Sequence, residues 1–331
     1  MVVGAFFVDP SPGGIFYDPA HPALKLMRHA RLTCRQDLFI VCVVDLKLRL
    51  PIGIGWRPTA VEKYLPSCFT EERMNHQPPS SFKVMTYNIH SCVNVYGREN
   101  PAATARIIAL LDPDAVALQE VDSMGPRMRQ RNQAEWIADQ LGMHHLFFPL
   151  RASRLGKFGS AVLSKYSMSV VKTSLFSGAS ANQIKEPRGA IWVRLRTPGG
   201  HVHFINTHLS LRMQDRLYQI RRLLGKDWLG GIDPQEPAVF CGDFNAGARS
   251  LIYRVISARF ADAQVQAKQK GYPKPTFFSL YPILRLDHIF VSRHLTPLQV
   301  KVPLDFDARK ASDHLPVWAQ LSFNGRHAED S

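Results

Sequence analysis

Again and again in this chain, an apolar stretch patterned like a β-strand runs straight into an amide, an acid or an imidazole. Thr86-Tyr87 leads to Asn88, Val116-Ala117-Leu118-Gln119 to Glu120, and Phe204-Ile205-Asn206-Thr207 to His208. Val239-Phe240-Cys241-Gly242 leads to Asp243-Phe244-Asn245, and Ser312-Asp313-His314 stands just before Leu315-Pro316-Val317. A protein of packed sheets can bring such strand ends together in one cleft, where acids, amides and imidazoles work on one substrate.

The pattern begins near residue 75. Upstream, Pro10, Pro12, Gly13, Gly14, Pro19 and Pro22 punctuate a segment without sustained periodicity, and Leu38–Val44 is its one strand-like stretch. Residues 1–75 are therefore expected to be a poorly ordered or accessory extension, or to precede a true start at Met74, the reading slightly favoured. Residues 76–325 are expected to form the catalytic domain, and 326–331 a tail. Downstream, strands are expected over 83–89, 115–118, 145–148, 159–164, 168–175, 190–196, 202–207, 237–241, 288–291 and 317–321. Helices are expected over 102–111, 133–141 (stopped by Gly142) and 213–228. Many strands with helices between them predict an α/β or α+β layered domain, and 331 residues that are 45% apolar can bury its core.

The formal net charge of +14 attracts polyanions, so nucleic acid and anionic lipid headgroups are both suitable partners, although charge alone selects neither. Most of that charge lies downstream of residue 73. Five cysteines at irregular spacing fit neither a disulfide framework nor paired zinc knuckles, which points to reduced thiols and a cytoplasmic protein. The N-terminus lacks the basic start of a signal peptide. The run Leu38–Val44 is too short to span a bilayer, so no transmembrane segment is expected.

Phosphodiester hydrolysis needs a metal to neutralise phosphoryl oxygens, a base to activate water, and donors for the pentacovalent centre. Mg²⁺, or Mn²⁺ in its place, prefers oxygen ligands, and Asn88, Glu120 and Asp313 offer them at strand ends without a Cys/His cluster that would favour zinc. Any one of these could be a solvated strand-end residue. Asp243 and Asn245 flank one aromatic and so project to one side; alone, they could equally form an Asx turn. His208 taken singly reads as a structural histidine. His314 differs, because Asp287 offers a carboxylate from another strand to orient it.

Taken in order, Thr86-Tyr87-Asn88-Ile89, Leu118-Gln119-Glu120-Val121, Gly159-Ser160-Ala161-Val162-Leu163-Ser164, Asn206-Thr207-His208-Leu209, Gly242-Asp243-Phe244-Asn245, Arg285-Leu286-Asp287 and Ser312-Asp313-His314 resemble the endonuclease/exonuclease/phosphatase superfamily, the DNase I-like proteins. The resemblance covers roughly residues 82–323 and is nearest to small bacterial YbhP-like members. It implies a four-layer α/β sandwich, two mainly antiparallel sheets face to face with helices outside. It implies metal positions at Asn88, Glu120 and Asp313, phosphate- and water-orienting positions at Asp243 and Asn245, and a histidine pair, His208 and His314, with Asp287 as partner to His314. The implied mechanism is in-line attack by water that His314 activates, with His208 on the phosphoryl side. No carboxylate is evident in the sequence to orient His208.

Within the superfamily, abasic-site enzymes similar to exonuclease III carry Tyr where this chain has His208. Inositol polyphosphate phosphatases carry Trp-Cys-Asp-Arg where it has Arg285-Leu286-Asp287. Both readings fall in weight. Nucleic acid remains as the favoured substrate, with a phospholipid headgroup or small phosphoester, as in neutral sphingomyelinase, as the alternative and an inactive binding module as a remote one. Arg188 resembles a basic substrate-phosphate position, as a forked guanidinium suits, or it is a turn residue beside Glu186. Arg127, Arg129 and Arg131 form a basic loop that could track a nucleic-acid backbone, sit on anionic lipid, or simply be solvated.

Overall fold

The computed structural model describes residues 81–123, 132–153, 156–176 and 187–324. The N-terminal extension with its Leu38–Val44 stretch, the loop carrying Arg127, Arg129 and Arg131, Glu186, and the tail lie outside the described residues.

Twelve strands form two six-stranded sheets among the described residues. They are β1 (Ser81–Asn88), β2 (Ala115–Ser123), β3 (His144–Ser153), β4 (Gly156–Ser164), β5 (Met168–Phe176), β6 (Arg188–Thr197), β7 (Gly200–His208), β8 (Ala238–Asp243), β9 (Ala261–Asp262), β10 (Asp287–Val291), β11 (Leu295–Lys301) and β12 (Val317–Phe323). The helices are α1 (Pro101–Leu111), α2 (Gln133–Leu141), α3 (Met213–Leu223), α4 (Leu251–Ser257), α5 (Ala263–Gln266) and α6 (Phe306–Ala311). One sheet runs β11-β12-β1-β2-β4-β3 and the other β5-β6-β7-β8-β10-β9. Each has one parallel pair at its centre, β1 with β2 and β7 with β8, and antiparallel neighbours elsewhere. The mainly antiparallel α/β sandwich implied by the resemblance is the fold.

Strand alternation sorts the core into layers. Val239 and Cys241 of β8 join the buried cluster that holds β1, β2 and β4, while Phe240 joins the cluster of Ile220, Leu223 and Ile252 under α3 and α4. A buried polar clamp ties the sheets together. Asn206 on β7 donates from Nδ2 to the carbonyls of Leu118 (2.9 Å) and Ala161 (2.8 Å), and accepts from Gln119 Nε2 at 2.7 Å.

This topology builds the site. The two strands of a parallel pair end at the same rim, and an antiparallel neighbour starts there. Asn88 closes β1, His208 and Asp243 close β7 and β8, Asp287 opens β10 opposite Asp243, and Asp313-His314 lie just before β12, separated from it by Leu315 and Pro316.

Three expected bounds are corrected by the structure. The strand from Ala115 continues through Glu120 to Ser123, the strand expected over 145–148 runs His144–Ser153, and the third helix stops at Leu223 rather than Trp228. Gly225 and the Gly230-Gly231 pair fill the turns that follow. Short elements went unread. Leu295–Lys301 is an edge strand with a register shift beside Pro297, a place where sheets accept proline. Phe306–Ala311 is one short helix, capped by Asp305 through a 3.0 Å bond from Ala308 N–H. No helix among the described residues is long and apolar enough to cross a membrane, and Cys92 and Cys241 are free and buried.

Away from the rim, Asp262 lies 3.0 Å from Arg285 Nη1 and 3.4 Å from His288 Nδ1. Burial pushes its carboxyl up, but His288 and Arg285 outweigh burial and hold it below the ordinary carboxylate value. Asp262→Asn leaves a buried guanidinium unpaired and is expected to cost about 3 kcal/mol in urea unfolding at neutral pH. A depressed carboxylate pKa stabilises above its unfolded value and is lost as pH falls through the folded one. The gap between variant and wild type should therefore close in acid.

Candidate active site

Glu120 reaches the cleft because β2 is bulged. The register of β2 on β4 shifts between Leu118 and Val121, and Glu120 takes a left-handed φ of 55°. A bulge re-aims one side chain while the strand goes on, and a non-glycine residue in this conformation costs on the order of 1 kcal/mol. Asn245, with φ 49°, is left-handed as well. Before Asp243, β8 presses so closely on β7 that a Cβ on Gly242 would stand 1.9 Å from the Thr207 carbonyl oxygen. Glycine is obligatory there.

The side chains converge on Asp243. Asn88 donates from Nδ2 to Asp243 Oδ2 (3.1 Å) and to Glu120 Oε1 (3.2 Å), while its own Oδ1 accepts from His90 N–H. His208 Nε2 is 3.4 Å and His314 Nε2 3.7 Å from Asp243 Oδ2. The opposite ring nitrogen of His314, Nδ1, is bonded to Asp287 Oδ2 at 2.8 Å. Asp313 sits on the outer side, 3.9 Å from His90 Nδ1, and Ser312 Oγ beside it donates to the Asn88 carbonyl at 2.8 Å. Residues more than 150 positions apart in sequence thus meet within hydrogen-bond reach.

Charge is set by these contacts. Burial pushes the Asp243 carboxyl up to about 6, with His314 pulling it back and Asp287 adding to the rise. Burial opposes charge on His314 too, but Asp287 and Asp243 outweigh it and raise the imidazole to about 10. His208 goes the other way, well below the ordinary histidine value, through burial, Arg188 and His314. The sequence offered no acid to orient His208. The structure places Arg188 there instead, its Nη1 3.2 Å from His208 Nδ1. A guanidinium can only donate, so Nδ1 accepts and the neutral ring keeps its proton on Nε2. That N–H faces Asp243 Oδ2 at 3.4 Å, and Asn245 Nδ2, a donor to the Leu209 carbonyl, stands 3.2 Å away. Two N–H donors side by side suit an oxyanion.

A model of the endonuclease/exonuclease/phosphatase family matches residues 85–314. The chain belongs to this family. YbhP of Escherichia coli, an uncharacterized protein, is 28% identical over 253 residues, covering 73% of this chain and 96% of that protein. The crystal structure of an endonuclease/exonuclease/phosphatase from Beutenbergia cavernae superposes with a TM-score of 0.62 at 24% identity, covering 74% of this chain and 72% of that one. The mannosyl-6-phosphatase of Bacteroides thetaiotaomicron superposes with a TM-score of 0.58 at 19% identity, covering 73% and 100%. Members of the family are hydrolases of phosphoesters, and the chain is a phosphoesterase of that superfamily.

The donor chemistry of the cleft fits the divalent metal on which this family generally depends. Four carboxylates, Glu120, Asp243, Asp287 and Asp313, stand about the rim as hard oxygen ligands. Asp287 Oδ1 is buried and has no hydrogen-bond partner among the described residues. Ligand atoms of Asp243, Asp287 and His314 all lie within 4.8 Å of one another, a trio different from the expected Asn88, Glu120 and Asp313. As oriented, Asn88 is a donor to the acids, and ligation through its Oδ1 requires its amide to turn.

Two supports were invisible in the sequence. Thr276 Oγ1 accepts from the backbone N–H of Leu286 and Asp287 at 3.2 and 3.3 Å, and the Phe277 ring packs on His314 at 4.8 Å between centroids. Neither stands at the end of a recognisable strand. A Thr-Phe pair inside an irregular segment gives no periodic signal.

Proposed function

We propose that this chain is a divalent-metal-dependent phosphodiester hydrolase acting on nucleic acid. The observation that carries the reading is the Asp287–His314 bond, with the other nitrogen of His314 turned toward Asp243. Asn88, Glu120 and Asp313 would hold the metal. A bound divalent cation would supply the positive charge that the phosphoryl and leaving oxygens need, and its charge would offset the carboxylates Asp287, Asp243 and Asp313 that raise His314.

In this mechanism His314 Nε2 takes a proton from water while Nδ1–H stays bonded to Asp287. Asp243 accepts the second hydrogen of that water and aims its oxygen at phosphorus. The new P–O bond forms in line with the one that breaks. His208 Nε2–H and Asn245 Nδ2–H donate to the phosphoryl oxygen that gains charge. Arg188, behind His208, keeps that ring neutral and correctly tautomeric, so it acts by positioning, while direct phosphate contact would require it to leave His208.

Nucleic acid is favoured by the net charge of +14. A phospholipid headgroup or small phosphoester would use the same chemistry. A panel of plasmid, single-stranded RNA, cardiolipin, sphingomyelin and bis-p-nitrophenyl phosphate, each with Mg²⁺ or with chelator, tests both halves of the proposal. Turnover of plasmid or RNA that chelator abolishes supports it. Turnover of the lipids alone overturns the substrate, and turnover of none overturns the reaction. Asp287→Asn is expected to lower kcat about 100-fold with KM within twofold, because it disturbs the orientation of the base rather than substrate binding. Steady-state kinetics check this.

A further inference from the structure

Beside the cleft, the turn after β1, the first turns of α1 and the helix α6 enclose a polar pocket of about 180 Å³, lined by Asn94, Tyr96, Asn100, Arg106, Asp307 and Lys310 among others. Its chemistry is one-sided. The Asn94 side-chain oxygen accepts from the N–H groups of Tyr96 and Arg98, and that of Asn100 from Ala103 N–H. Asn94 therefore has only N–H left to offer a ligand, while the Asn100 oxygen is turned to the first turn of its own helix. Arg106 is exposed, and among the described residues no hydrogen bond or ion pair engages it. Lys310 lies over the rings of Phe306 (3.0 Å to the centroid) and Tyr96 (5.3 Å). Against these donors Asp307 is the one acid in the lining.

The pocket is joined to the cleft by chain. Lys310 is three residues from Asp313, a reach of at most about 11 Å, and Asn94 is six residues from Asn88. A 3.0 Å bond from Val95 N–H to the Lys310 carbonyl locks the two walls together. A second phosphate on the same strand as the scissile one lies within such a reach. Tyr96 and Phe306, 62% and 68% exposed, add aromatic surface next to the cations. Cations interleaved with exposed rings suit a single strand, whose bases are free to stack. In a duplex those faces are already covered.

Resting on the nucleic-acid reading above, we infer that this pocket is a subsite for a non-scissile phosphate of single-stranded nucleic acid, with Arg106 and Lys310 as its cations and Tyr96 as a stacking surface for the adjoining base.

The test is binding of a fluorescein-labelled oligothymidylate of eight nucleotides, followed by anisotropy with Mg²⁺ in a His314→Gln background that prevents turnover. Arg106→Gln should weaken binding about tenfold at low salt. It should also flatten the slope of log affinity against log salt by about 0.7, one phosphate contact on a single strand. Lys310→Gln should repeat the effect, and Tyr96→Ala should weaken binding without changing the slope. Arg196→Gln removes the same charge at the far end of β6 from Arg188 and should change neither quantity. If Arg106→Gln and Arg196→Gln behave alike, the subsite is wrong. Binding of phosphatidylglycerol vesicles but not of the oligonucleotide, weakened by Arg106→Gln, would make this a membrane-facing surface and also overturn it. Hydrolysis of bis-p-nitrophenyl phosphate by the unmutated chain is measured separately. Hydrolysis without an Arg106 effect removes the subsite and keeps the reaction, and an Arg106 effect without hydrolysis does the reverse.

Discussion

His314→Ala is expected to lower kcat for bis-p-nitrophenyl phosphate by roughly 10³–10⁴-fold, the share that a positioned acid–base group contributes. Among the described residues at the cleft, His314 is the imidazole with a carboxylate bonded to one nitrogen and the other nitrogen facing the cleft. His208 cannot replace it, because Arg188 occupies its Nδ1 and keeps the ring from gaining a proton. Alanine also removes the surface against which Phe277 packs, so His314→Gln, which keeps most of the volume, is the companion variant. Both should lose activity, with circular dichroism and unfolding of the glutamine variant close to wild type. Activity within tenfold of wild type in either variant would remove His314 from the mechanism.

Glu120→Gln is expected to raise the Mg²⁺ concentration for half-maximal activity by about 100-fold or more, since even groups that only support metal ligands contribute 10–100-fold to affinity. At fixed Mg²⁺ the rate should fall by about 10³. Glutamine keeps the size of the side chain and an oxygen able to accept from Asn88. What it removes is one of four carboxylates crowded around the rim. In the metal-free protein that crowding opposes folding, so the variant should melt at the same temperature as wild type or higher. A lower melting temperature with an unchanged Mg²⁺ requirement would show that Glu120 holds the fold and not a cation.

The fold was legible because strand alternation is local. Val239-Phe240-Cys241 reads as a buried strand, and the structure adds that Phe240 faces one layer and its two neighbours the other. The site was legible as a set of strand ends, and Asn88, Glu120, His208, Asp243, Asn245, Asp287 and His314 do meet at one rim. Their partners were not legible. The bulge that turns Glu120 inward comes from a register shift against β4, a property of two strands rather than of one. Arg188 could be recognised as basic, but its contact with His208 depends on β6 pairing with β7. The Asn206–Gln119 clamp joins opposite sheets, and within either strand each amide looks merely out of place.

The proposed chemistry requires a divalent cation and an acid-poised imidazole to share this cleft. Anomalous diffraction from crystals soaked in Mn²⁺ tests it most directly. A peak is expected within coordination distance of the Glu120 carboxylate, on the side facing Asp243 and His314. Full occupancy elsewhere with an empty cleft, or no bound Mn²⁺ in crystals of protein that is active with it, would contradict it.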